Sequence, residues 1–162
     1  MKKLLRKIIT TSLFFTIVFL LFNCGNPSLV NESMNVDENS WDVNQKLKID
    51  INIDDTSSTY NFYINVRNTA DYKYSNFFLF IKTTFPDGKT AIDTLECILA
   101  DISGKWIGKG NDKIKDNRIL FKKDAIFPAK GKYVFEIEHA MRDKIISGIK
   151  SVGLQIEKNK TR

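Results

Sequence analysis

Strict alternation of apolar and polar residues begins at Leu47. Leu47, Ile49, Ile51 and Ile53 fall on one side of an extended chain, and Lys48, Asp50 and Asn52 on the other. Successive strand side chains point to opposite faces, so this pattern predicts a half-buried β-strand. The same period returns after the polar turn Asp54-Asp55-Thr56-Ser57-Ser58, with Tyr60, Phe62, Ile64 and Val66 set against Asn61, Asn65 and Arg67. Two neighbouring strands with matched apolar faces predict a hairpin. Residues 77–81, FFLFI, are continuously apolar, which fits a strand covered on both faces near the middle of the structure. Pro86-Asp87-Gly88 follows, where proline presets φ and glycine accepts a positive φ, so the chain should reverse there. Further strands are expected over 90–99, 118–122, 132–139 and 151–157, and only 140–149 is spaced like part of a helix. Short strands divided by turn signals predict an all-β fold, an antiparallel β-sandwich (Ig-like or jelly-roll-like) with at most one short helix; a β-barrel is the alternative.

The N-terminal pattern is of another kind. Lys2, Lys3, Arg6 and Lys7 precede an apolar run over 13–22 that ends Leu21-Phe22-Asn23-Cys24. A basic segment followed by a short apolar one is a secretory signal, and the run falls short of the roughly 20 residues needed to cross a bilayer. A cysteine directly after it, with leucine three positions earlier, matches a bacterial lipobox; Asn23 departs from the usual small residue. Residues 1–23 are therefore read as a lipoprotein signal peptide and Cys24 as the site of a diacylglyceryl group. Palmitate-type acyl chains there would hold the protein at a membrane, at about 0.8 kcal/mol per buried methylene. Residues 24–40 are polar and aperiodic and are read as a flexible tether reaching at most about 60 Å. Residues 41–158 are read as one domain with a single core.

Removing 1–23 takes four positive charges and no negative ones from the formal net charge of +6, leaving +2. The remaining Lys and Arg are scattered among Asp and Glu, so the basic balance gives no ground for nucleic-acid binding. With Cys24 acylated, only Cys97 is left and no internal disulfide can form.

Candidate chemistry is sparse. His139 is the only histidine and shares parity with Tyr133, Phe135 and Ile137, which makes it a partly buried structural residue. No His, Cys and carboxylate set has metal-ligand spacing. Cys97 shares parity with Leu95 and Leu99 and reads as a small hydrophobe rather than a nucleophile. The stretch Gly104-Lys105-Trp106-Ile107-Gly108-Lys109-Gly110 imitates a phosphate loop but has three residues between its first glycines and no Ser or Thr after Lys109. It is read as a conformationally special loop with Trp106 anchored on the domain, and Lys105, Trp106 and Lys109 are the candidate interaction residues. Asp54-Asp55 and Asp112 with Asp116 lack the calcium-loop spacing and read as solvated turns. Tyr72, Tyr74, Phe77, Phe78 and Phe80 are read mainly as core, with any exposed subset marking a partner surface.

Several segments taken together resemble the GldH gliding-motility lipoprotein family over about residues 41–157. They are Val66-Arg67-Asn68, Tyr72-Lys73-Tyr74-Ser75-Asn76, Leu99-Ala100-Asp101 with the 104–110 loop, Pro128, Gly131-Lys132-Tyr133, Met141-Arg142 and Gly148-Ile149-Lys150-Ser151-Val152-Gly153. The resemblance implies a non-enzymatic accessory lipoprotein of bacteria that glide and use type IX secretion, acting on other gliding-machinery proteins. It brings no catalytic residues, no cofactor and no small-molecule substrate; only the acylated cysteine carries over, onto Cys24. No acidic cluster follows Cys24, the first acid being Glu32, which favours a periplasm-facing location. The alternative is a glycan-binding surface lipoprotein using Trp106, Tyr72 or Tyr74 as stacking platforms.

Overall fold

A computed structural model describes residues 28–36 and 40–159. The signal peptide and Cys24 lie outside the described residues. Within them the chain forms eleven strands and no helix: β1 (Ser28–Asn35), β2 (Ser40–Asp42), β3 (Leu47–Ile53), β4 (Tyr60–Thr69), β5 (Asn76–Thr84), β6 (Thr90–Ile98), β7 (Lys109–Gly110), β8 (Ile114–Ala125), β9 (Gly131–His139), β10 (Ile145–Ser147) and β11 (Ile149–Lys158). One sheet has the order β1-β11-β4-β8-β7, the other β3-β9-β5-β6, and β10 pairs with β2 at one end. Every pairing is antiparallel. The all-β antiparallel sandwich read from the sequence is the fold observed.

The core lies between the two sheets. Alternation in β3 and β4 sends Ile49, Ile53, Ile64 and Val66 inward, where they meet Phe77, Leu79, Ile81, Ile137, Val152 and Leu154. Each such side chain contributes about 1.5–3 kcal/mol by leaving water. At one end of this core Trp41 is fully buried, 5.6 Å from Phe77, and its indole N–H donates to the Gln45 carbonyl at 2.6 Å.

Four expectations are corrected. The first concerns β3 and β4, which do not form a hairpin: β3 pairs with β9, and β4 lies in the opposite sheet between β11 and β8. Matched apolar faces identify what is buried, not which strand is adjacent, and stacking face to face buries them equally well. The connection is an arch built on Asp55, whose carboxylate accepts from the backbone N–H and hydroxyl of Ser57 and Ser58 and from Lys158 Nζ. The second concerns β5, an interior strand covered on one face only. Phe77, Leu79 and Ile81 are buried, whereas Phe80 on the outer face is 39% exposed.

The third correction is to 140–149, which is not helical. Ile146 pairs opposite Trp41, and Gly148 takes φ +90°, with the position of a Cβ only 2.8 Å from Tyr72 Cα. The apolar spacing there serves the β10–β2 pairing and a tight return into β11. The fourth is to the tether over 24–40. Ser28–Asn35 is strand β1, registered against β11 from Glu157 to Ser151. An edge strand gains its place through backbone hydrogen bonds and needs few apolar residues; here Val30 alone is buried.

Candidate functional site

Strand directions give the sandwich two distinct ends. Tyr60 stands opposite Lys158 and Ala125, and Ile53 opposite Gly131, so the 54–59, 85–89 and 126–130 connections share the end at which β1 begins. The 70–75, 99–113 and 140–148 connections gather at the other end. That second end carries the loop singled out in the sequence.

Residues 99–107 form a miniature hairpin against the core. Leu99 is buried, Ala100 and Trp106 bridge antiparallel, and the Ile107 N–H donates to the Leu99 carbonyl at 2.9 Å. The turn is pinned by Asp101, whose Oδ1 accepts from the Ser103 hydroxyl at 2.7 Å, the Ser103 N–H at 2.8 Å and the Lys105 N–H at 3.0 Å. Those bonds hold the Asp101 carboxyl below the ordinary carboxylate range, the Ser103 hydroxyl foremost. Gly104 supplies the φ of +81° that closes the turn. Trp106 is half-buried with its ring 6.5 Å from that of Tyr72, while Lys105 and Lys109 are exposed. Gly108 passes close over Asn117, a buried residue whose amide donates to Asn68 Oδ1 at 2.8 Å. The loop is thus closed by its own hydrogen bonds, and Trp106 is packed on the domain as its sequence reading expected.

The neighbouring loops are tied to each other. The Tyr74 hydroxyl donates to Asp143 Oδ2 at 2.7 Å, and the Tyr72 hydroxyl donates to the Asn76 carbonyl at 2.9 Å. Tyr72 is buried, and burial pushes its pKa well up, so it is core and offers no stacking face; among the three proposed aromatics Tyr74 is the exposed one. Around this frame Ile98, Ile107 and Ile145 are each at least half exposed, and Ile102 is fully exposed at the tip of the 101–104 turn. Sequence reasoning did not single out these isoleucines: Ile102 and Ile107 stand in a polar loop without periodicity, and Ile98 and Ile145 sit at strand ends, where alternation does not tell an exposed apolar residue from a buried one. Several large apolar side chains thus stand exposed at this end on backbone held by hydrogen bonds.

A second feature adjoins it. The outer face of the five-stranded sheet holds an open hollow of about 710 Å³ above Gly153, walled by Asn31, Asn65, Arg67, Asp116 and Arg118 and reaching Ile107 at one end. Arg67 is paired with Asp116 at 2.6 Å; Arg118 is paired with Glu157 at 2.8 Å and lies 3.7 Å over the Tyr63 ring. Both arginines are thus paired with acids of the same face, and Lys109 stands exposed at the rim.

Of the residues weighed for chemistry, Asp116 walls the hollow and the others make no catalytic or metal-binding set with it. Cys97 is buried and its thiol is pushed up to about 12 by burial. His139 is buried edge-on to Trp41 at 5.5 Å, with neither ring nitrogen in a well-formed hydrogen bond. Asp54 and Asp55 belong to the arch at the opposite end, and Asp116 is committed to Arg67. Among the described residues no group of His, Cys, Asp and Glu is placed to hold a metal ion.

Comparison with known proteins gives a consistent picture. A family model described as GldH lipoprotein matches residues 28–156. A protein of Christiangramia forsetii named gliding motility lipoprotein GldH homolog is 32% identical over 162 residues, covering 96% of this chain and 99% of its own. The gliding motility lipoprotein GldH of Flavobacterium johnsoniae is 32% identical over 145 residues, covering 85% and 89%. Among solved structures, the insecticidal delta-endotoxin Cry8Ea1 of Bacillus thuringiensis overlaps 75% of this chain and 19% of its own at a TM-score of 0.43 and 11% identity.

Proposed function

The chain belongs to the GldH lipoprotein family, and from that premise we propose that it is a lipid-anchored accessory component of a bacterial gliding machinery, working by contact with other proteins of that machinery. In this reading residues 1–23 direct export, Cys24 carries the diacylglyceryl group, and the domain faces the periplasm. The protein performs no catalysis. Its contribution is a stiff body whose loop end, with Lys105, Trp106, Lys109 and the isoleucines around them, presents a preformed surface to a partner.

The observation that carries this reading is the match along almost the whole length to relatives named for gliding motility. It is supported by the character of the loop end, where large apolar side chains stand on backbone fixed by Asp101, Gly104 and the Tyr74–Asp143 bond. Ordering such a surface costs little at the moment of binding, because the loops are already held.

Deletion of the gene should abolish colony spreading at an unchanged growth rate, and the intact gene should restore it. Complementation with Cys24→Ala should leave the protein in the soluble fraction and spreading absent. Cells lacking the protein that still spread normally would refute the reading.

A further inference from the structure

We infer that the end of the sandwich at which β1 begins lies on the membrane holding the Cys24 lipid, with Ile126 at the boundary between headgroups and acyl chains, so that the end carrying Ile102 and Trp106 points away from that membrane. This rests on the proposed acylation of Cys24.

The argument begins with the length of the connection. A chain of seventeen free residues would let the domain wander up to about 60 Å from its anchor. Strand β1 removes most of that freedom, because Ser28 is already in register opposite Glu157. Only four residue steps separate Cys24 from Ser28, about 14 Å at full extension. Whatever path they take, the β1-start end is held within that reach of the acylated residue. The opposite end is set back by the length of the strands: β4 alone, Tyr60–Thr69, spans about 30 Å. The Ile102 turn cannot sit on the same membrane surface unless the domain lies flat.

The chemistry of the near end agrees with this placement. Ile126 is 63% exposed in the 126–130 connection. Its neighbour Phe127 is buried against Tyr60 and Tyr133, with ring centroids 5.1 and 4.9 Å away, which fixes the loop and leaves Ile126 projecting. Pro86 and Pro128 are exposed at the same end, and Pro86 packs against Gly131. Exposed Lys130 beside them has an apolar stem and a charged head, the shape that rests at a lipid interface. The same end also carries exposed Asp54, and Asp87 paired with Lys89, so the apolar projection of Ile126 and the covalent lipid, rather than net charge, supply the hold.

The test uses the full-length acylated protein purified from its host and reconstituted into phosphatidylethanolamine and phosphatidylglycerol vesicles. An environment-sensitive fluorophore is placed on Ile126→Cys in one preparation and on Ile102→Cys in another; buried Cys97 leaves the parent protein unlabelled as the control. Vesicles containing lipids with a spin-label quencher at a shallow acyl position should quench the probe at 126 severalfold more than the probe at 102. Mass spectrometry of the N-terminal peptide from the same samples reports the acyl group. With Cys24 acylated, equal quenching at the two sites, or quenching at 102 alone, overturns the orientation, the second pointing to loops that face the bilayer. An unmodified Cys24 in membrane-bound protein would instead overturn the acylation reading, and the orientation with it.

Discussion

His139 offers a sharp test of how the core is built, because it is the chain's only histidine and sits where a charge is not wanted. Its ring packs edge-on against Trp41, and burial lowers its pKa below the usual 6.5; the nearby backbone of Lys144 and Trp41 and the charge of Asp42 oppose the shift only in part. The unfolded chain therefore takes up a proton as the pH falls through 6.5, while the native chain refuses it until its own lower pKa is reached. Stability is complete above 6.5 and is lost below it, by about 1.4 kcal/mol for each pH unit over which native His139 stays neutral. Acidic groups do not confuse this window. Asp50, Asp55, Asp87 and Asp101 are held below 3.8 and Glu136 below 4.5, so their contributions disappear only at more acidic pH. The assay is urea denaturation of a Cys24→Ala chain without a histidine tag, at several pH values between 7.5 and about 5, alongside a His139→Phe variant that keeps an aromatic edge against Trp41. The wild type should lose up to about 2 kcal/mol across the window and the variant almost none. Parallel pH slopes in the two proteins would refute the assignment of this acid sensitivity to a buried neutral imidazole.

Other consequences are checked by simpler measurements. Gly148→Ala places a Cβ 2.8 Å from Tyr72 Cα at φ +90°, and it should destabilise the domain by about 1–3 kcal/mol in the same denaturation assay. Ile102→Asp alters a fully exposed side chain, so the denaturation midpoint should move by less than about 0.5 kcal/mol, while in-cell crosslinking to partner proteins and colony spreading should both fall. Cys97 should resist a thiol reagent in the native protein and react fully in urea, because burial holds its pKa at about 12; rapid native labelling would contradict its place in the core.

Much of the fold was legible in the chain because strand periodicity reports burial directly. The alternation from Leu47 to Ile53 and from Tyr60 to Val66 named the inward faces correctly, and Pro86-Asp87-Gly88 marked the β5–β6 reversal. The parity of Cys97 and His139 foretold their burial. In the loop, failure to match a phosphate-binding spacing and the presence of a lone tryptophan were enough to read 104–110 as a structural turn anchored by Trp106.

Tertiary structure alone decided the rest, since a local pattern says which face is buried and not what covers it. Strands β3 and β4 carry matched faces yet stack across the core, because the Asp55 arch turns the chain between sheets. The polar segment Ser28–Asn35 has almost no hydrophobic signal and became a strand through the open hydrogen-bonding edge of β11, a partner more than a hundred residues away. The exposed isoleucines at 98, 102, 107 and 145 came to the same end of the sandwich only when two distant stretches, 98–107 and 145–147, met there. Sequence fixes periodicity through the geometry of each strand; which edges meet, and therefore which end faces a partner, is settled by long-range pairing that no local window contains.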